Sequence, residues 1–295
     1  MKFVVGPSWL RVAVTFDDDA FARSLTPLFE KIGANGEDGD AGPGLRVKSL
    51  SDEPAAGEVE ASFRLEDEVL RGVGAYGRGY YDLGEKSGEI SVTPYGATFF
   101  ETFLRQLFLW ETHRQGAVAL HGVALGHGDD AVLSCGPSGS GKSTLAKMLG
   151  KRYTVYSDEA NVVDAAGRVW ALPIHGSAAA TVNAGGGRLR AITIHRPGKE
   201  FSANRLDAAA AARALWQNVF VPAAAPGAVR ARTFERLADA AANVAVFAVA
   251  VPLDERASAA GFAKLFEENG TDNRSVALWR KDTLSPQLTA RRSSR

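Results

Sequence analysis

The sequence predicts an α/β C-terminal core preceded by a β-rich α+β N-terminal domain. Three observations carry this. Residues 131–149 run from an apolar strand through a glycine-rich loop into a helix, a strand–loop–helix order typical of α/β cores. Residues 10–92 hold a series of short segments with period-two alternation, separated by turn residues. Residues 244–251 are almost entirely apolar, as in a strand of a sheet covered on both faces.

Taken in order, residues 10–16 alternate as a half-buried strand does, and residues 20–32 place Phe21, Leu25, Leu28 and Phe29 near one helical face. Residues 35–44 are rich in Gly, Asn, Asp and Pro, which tolerate turn conformations, and form a loop. Segments 45–50, 59–65, 69–76, 80–83 and 89–92 then read as an antiparallel meander, closing an N-terminal domain over 1–94. A connecting helix fills 95–116. Phe99, Phe103, Leu107 and Trp110 recur at three and four residues, and Gly116 stops the run.

The core spans 117–270. Strands at 117–125 and 131–135 flank a turn and lead into Gly136-Pro137-Ser138-Gly139-Ser140-Gly141-Lys142-Ser143-Thr144, with a helix from Thr144 to Leu149. A strand at 153–156 ends at Asp158 and Glu159. A hairpin follows at 161–163 and 168–172, then a strand at 191–195, alanine-rich helices at 208–217 and 234–242, and the apolar strand. Asp254 caps a last helix. Residues 271–295 lose periodicity and read as a mobile tail.

The loop satisfies G-x-x-x-x-G-K-[ST]. Glycines let several N–H groups point at phosphate oxygens, Lys142 supplies a charge for the β and γ phosphates, and the Ser143 hydroxyl suits Mg²⁺. The following helix turns the positive end of its dipole to the same anion. Sixteen residues separate Lys142 from Asp158, enough for one helix and one return strand. Ligands of α/β sheets bind at strand C-termini, so Asp158 and Glu159 are expected to face the same nucleotide. One carboxylate would hold Mg²⁺ and the other accept a proton from an attacking hydroxyl.

His121-Gly122-Val123, the glycine loop and Ser157-Asp158-Glu159 together resemble the HPr kinase/phosphorylase family, over roughly residues 117–268. The better match is to its divergent HPr-kinase-like members. The resemblance implies a mixed-sheet core of the phosphoenolpyruvate-carboxykinase type, ATP and Mg²⁺ as cofactors, and a serine hydroxyl as acceptor. By position it makes Lys142 the phosphate-binding lysine and Ser143 the metal-ligating hydroxyl. Asp158 matches the proton acceptor, Glu159 a metal ligand, and His121 the histidine at the end of the strand before the loop. The second acid here is Glu rather than Asp, and residues 173–187 do not reproduce the family's substrate-binding segment. The expectation is a serine kinase acting on a peptide or protein.

Two other classes fit parts of the sequence. A small-metabolite hydroxyl kinase shares the loop, but such proteins usually begin with it. A nucleotide-dependent switch keeps the loop without needing Asp158. Among the remaining polar residues, His175 is a candidate for lining an acceptor pocket, and one of Arg188, Arg190 and Arg196 for contacting a phosphate. His127 is expected to be solvated in a turn.

Composition narrows the partners. Lys plus Arg and Asp plus Glu both number 34, so nothing argues for nucleic acid or an anionic membrane. No run approaches a membrane span, no signal pattern opens the chain, and a cytoplasmic location is expected. The single cysteine, Cys135, excludes an intrachain disulfide and reads as a small core residue. A homo-oligomer is compatible with the sequence.

Overall fold

The structure is a computed structural model, and it describes residues 1–5, 11–23, 25, 44–50, 60–172 and 186–267. Among these the protein is a mixed α/β protein with two mixed sheets and six helices. The tail at 271–295, His175 and most of the 173–187 segment lie outside the described residues.

The first sheet comprises β1 (Lys2–Val5), β2 (Val12–Phe16), β3 (Gly44–Ser49), β4 (Ser62–Glu66), β5 (Val69–Gly74), β6 (Gly77–Asp82) and β7 (Ser87–Val92). A short helix, α1, occupies residues 19–23 and 25. The strand order is β1-β2-β3-β7-β6-β5-β4. Strands β4 to β7 form the expected meander, but β3 does not belong to it. It pairs in parallel with both β2 and β7. Its alternation of Leu45 and Val47 inward identifies a half-buried strand but carries nothing about the direction of its neighbours.

The inner face of this sheet packs on α2 (Ala97–Arg114). Phe99, Phe100, Phe103, Leu104, Leu107 and Phe108 are buried there, as the aromatic period requires. Gly72 and Gly77 let the rings approach. A Cβ on Gly72 would lie 2.9 Å from Phe103 and one on Gly77 2.5 Å from Phe99. The same core continues into Ala119, Ala160 and Val162 of the second sheet, so α2 is packed between the two sheets.

The second sheet is built on β8 (Val118–His127) and β9 (Asp130–Cys135), with β10 (Thr154–Ser157), β11 (Ala160–Val163), β12 (Arg168–Ala171), β13 (Gly186–Pro197), β14 (Ser202–Arg205), β15 (Val219–Phe220) and β16 (Ala245–Val251). Central β13 runs parallel to β9 on one side and to β16 on the other. Helix α3 (Lys142–Leu149) follows the glycine loop. Helices α4 (Ala208–Trp216) and α5 (Gly227–Asn243) pack together, and α6 (Glu255–Glu267) lies near α3. The Asp254 side chain caps α6, accepting from Ala257 N at 2.6 Å.

Candidate functional site

Everything converges where β9 ends. Cys135 leaves the sheet, the chain turns through residues 136–141, and α3 starts at Lys142. Gly139 and Gly141 have φ of 78° and 99°, backbone that side chains strain to adopt, which is why glycine is required there. Pro137, Ser138 and Gly139 form the exposed tip, whereas Gly136, Ser140 and Lys142 are buried. Thr144 faces outward on α3.

The Lys142 ammonium donates to the carbonyls of Gly136 at 2.7 Å and Pro137 at 2.9 Å, folding back over its own loop. Burial holds its pKa below the usual lysine value, opposed by the Glu159 and Asp158 charges. Those two place Lys142 within electrostatic reach of the acidic pair.

That pair follows Ser157, the last residue of β10, as expected of a strand end. Strands β10 and β11 both run antiparallel along β8, like one strand interrupted at Asp158 and Glu159. The register shifts between Val155 and Ser157, while Glu159 O still accepts from Gly122 N at 3.0 Å. This bulge lies just before the pair, and the register is continuous from Ser157 opposite Ala124 to Ala160 opposite His121. Asp158 is buried against α3, where the Ser143 hydroxyl donates to its Oδ2 at 3.2 Å. Glu159 instead meets His121, with Oε2 3.4 Å from Nε2. That hydrogen bond is the largest cause holding the Glu159 carboxyl below its usual range, and His121, Arg105 and Lys142 charges add to it.

His121 lies within β8 rather than at its end, and β8 is the strand beside β9, not the one that enters the loop. The antiparallel turn between β8 and β9 brings its middle back to the loop. The ring also sits 5.7 Å from Phe220. Lys142, Ser143, Asp158, Glu159 and His121 are thus gathered at one end of the sheet.

Other candidates are placed elsewhere. Arg188 and Arg190 pair with Asp130 at 3.1 and 2.8 Å, at the start of β9 and the opposite end from the loop. His127 is exposed, its ring 5.8 Å from that of Tyr153. The Cys135 thiol is buried and pushed up to about 12 by burial, which leaves it a packing residue.

Two residues escaped the sequence reading. Arg105 reaches the Glu159 field from α2, off the phenylalanine stripe. His195 follows Ile194, the β13 partner of Cys135, and so comes to lie under the loop. A Cβ on Gly136 would be 2.9 Å from His195 O, and one on Gly141 3.3 Å from its Nε2. A histidine at the end of the apolar stretch expected as a strand at 191–195 was the available signal.

Burial, with the Lys142 charge beside it, lowers His195 from 6.5 to about 4. Between those values the unfolded chain binds a proton that the folded protein does not. This contribution to stability is therefore complete above about pH 6.5 and lost as pH falls toward 4. At pH 5 the loss is about 2 kcal/mol. Thermal unfolding compared at pH 7 and pH 5 should show a larger drop for wild type than for His195→Gln. His113 is also lowered to about 4 and affects both proteins alike.

Among the described residues, no group of three or more His, Cys, Asp and Glu side chains is arranged to hold a metal ion. Mg²⁺ does not need one, because it keeps several waters and takes one or two carboxylates plus substrate phosphates. The hard oxygen donors Ser143 Oγ and Asp158 Oδ2, 3.2 Å apart, suit it, and Glu159, within electrostatic reach of Lys142, offers a second carboxylate at the same end of the sheet. No helix of the described residues is long and apolar enough to cross a membrane. No family model matches the chain, and no curated protein matches it.

Proposed function

We propose that the protein is an ATP- and Mg²⁺-dependent kinase of the HPr-kinase type, which transfers the γ-phosphoryl group to a serine hydroxyl of a peptide or protein. The observation that carries this is the 3.2 Å contact between the Ser143 hydroxyl at the start of α3 and the Asp158 carboxylate. It sets a buried carboxylate beside the hydroxyl that would face Mg²⁺ and the γ-phosphate, where a proton acceptor for an incoming hydroxyl is needed. The phosphoenolpyruvate-carboxykinase-type core belongs to the same reading, supported by the mixed sheet with the loop between a strand and a helix.

ATP phosphates would take the Lys142 ammonium from the Gly136 and Pro137 carbonyls and meet the loop amides, which stabilise charge on the transferring group. Ser143 Oγ and the Glu159 carboxylate would hold Mg²⁺, which neutralises phosphate charge when bound. Glu159 suits this, since its His121 contact keeps it ionised and correspondingly weak as a base. Asp158 orients the acceptor hydroxyl. As the hydroxyl oxygen bonds to the γ-phosphorus, its proton passes to Asp158 and the bond to the β-phosphate oxygen breaks, releasing ADP. Asp158 also lies beside Ser143 and can share the metal. Pairing with Glu159 makes His121 a residue that positions that carboxylate.

The test is incubation with γ-labelled ATP, Mg²⁺ and a lysate of the native host. Label recovered as phosphoserine on a peptide or protein is the expected result. ATP bound without any transfer, with a partner captured only in one nucleotide state, would replace the kinase by a switch.

A further inference from the structure

The outer face of the first sheet, turned away from α2, carries a cluster of positive charge. Arg64 on β4, Arg71 on β5 and Arg78 on β6 are all exposed and line one open cleft of about 410 Å³. That is within the roughly 300–1,000 Å³ typical of ligand clefts. Arg64 and Arg71 are direct partners in the β4–β5 ladder. Like charges directly opposite one another destabilise a sheet. Arg71 faces Tyr80, and Arg78 faces Val73, so Arg71 and Arg78 are diagonal neighbours, about 7–8 Å apart at the backbone.

Among the described residues, little neutralises this charge. Among the described residues Arg64 has one ion pair, to Glu66 at 3.3 Å, with both side chains more than half exposed, an arrangement of small energetic value. Among the described residues Arg71 and Arg78 have no carboxylate partner. Glu89, on the cleft wall, is taken up by Lys48 at 2.8 Å. The chain as a whole is neutral, so a row of repelling arginines is not a by-product of a basic composition. The floor between them is apolar: Val73 and Tyr80 are 53% and 45% exposed.

We infer that this cleft binds an acidic peptide segment, whose carboxylates pair with Arg64, Arg71 and Arg78 while an apolar side chain covers Val73 and Tyr80. Charge complementarity selects an anionic occupant, and the apolar floor selects a peptide over a nucleic acid. One exposed tyrosine makes no run of stacking platforms for successive bases. Because the cleft faces away from α2, a docked segment leaves Ser143 and Asp158 open. As a docking site for the phosphoryl acceptor it rests on the kinase reading; as a peptide site it does not.

The experiment is fluorescence anisotropy with a labelled peptide of about ten residues, glutamates around a central tryptophan. A lysine counterpart and an oligouridine of similar length serve as comparisons. Wild type should bind the acidic peptide, more weakly as salt rises, and not the lysine peptide. Arg71→Glu/Arg78→Glu should lose about tenfold or more, and Arg71→Gln/Arg78→Gln should fall between. Both variants should bind ATP as wild type does, since the glycine loop is untouched, and that also reports that they are folded. No acidic-peptide binding at about 1 mM, equal binding by wild type and the charge-reversed variant, or tighter binding of the RNA would each overturn the inference. Peptide binding here, with no phosphoserine formed in the γ-labelled ATP and lysate assay, would leave the cleft standing and count against the kinase instead.

Discussion

Lys142→Ala is expected to weaken ATP binding tenfold to about a hundredfold while leaving the protein folded. The ammonium is buried at the base of the loop and already makes two hydrogen bonds to carbonyls, at 2.7 and 2.9 Å. It is therefore pre-placed where phosphate oxygens would arrive. A hydrogen bond to a charged group is worth about 1.5–3 kcal/mol net, which converts to that range of affinity. Stability should change less than affinity does. Removing a buried ammonium relieves the desolvation that depresses its pKa, and this offsets the two carbonyls left without a donor. Calorimetry with ATP and Mg²⁺, alongside thermal unfolding without nucleotide, separates the two effects. Equal affinity in wild type and variant would remove Lys142 from the site.

How much of this was legible in the sequence depended on whether an element announces itself through burial. The helix α2 was, because Phe99, Phe103, Leu107 and Trp110 are all buried on one period. So was β16, whose apolar run lies between β13 and β14 in the sheet. Strand β14 was missed because all four of its residues, Ser202–Arg205, are exposed, leaving no alternation to detect. The start of β13 was hidden by Gly186 and Gly187, which read as turn residues but pair with Trp170 and Val169. Helix α5 begins seven residues earlier than Phe234, at Gly227, with Pro226 at its N-cap. Its first turns are mostly polar or small and bury little. In the site, the interval from Lys142 to Asp158 sufficed to bring the carboxylate back to the loop. The bulge between Val155 and Ser157, just before the pair, was not legible, since a register shift leaves no mark on composition. Arg105 and His195 depend on which strands and helices become neighbours, and local pattern does not contain that.

Asp158→Asn is expected to give the largest effect, because it removes a base while keeping shape. The amide can still accept from the Ser143 hydroxyl through its carbonyl oxygen, so the 3.2 Å contact and the start of α3 should survive. It cannot take the proton that the acceptor hydroxyl must lose. If Asp158 is the proton acceptor, phosphoryl transfer should fall by about 10²–10⁴-fold with ATP affinity little changed. Glu159→Gln should behave differently. It removes the carboxylate that His121 keeps ionised, so its main effect should be a higher Mg²⁺ requirement, with transfer partly restored at saturating Mg²⁺. The measurement is the rate of label transfer from γ-labelled ATP across a Mg²⁺ titration, for wild type and both variants. Restoration of Asp158→Asn, but not of Glu159→Gln, by excess Mg²⁺ would exchange the two roles. That outcome has its own physical basis, since Asp158 is the carboxylate in contact with the metal-ligating hydroxyl. Equal transfer by wild type and Asp158→Asn would end the base role outright, and Glu159 and His121, 3.4 Å apart, would be the next pair to test.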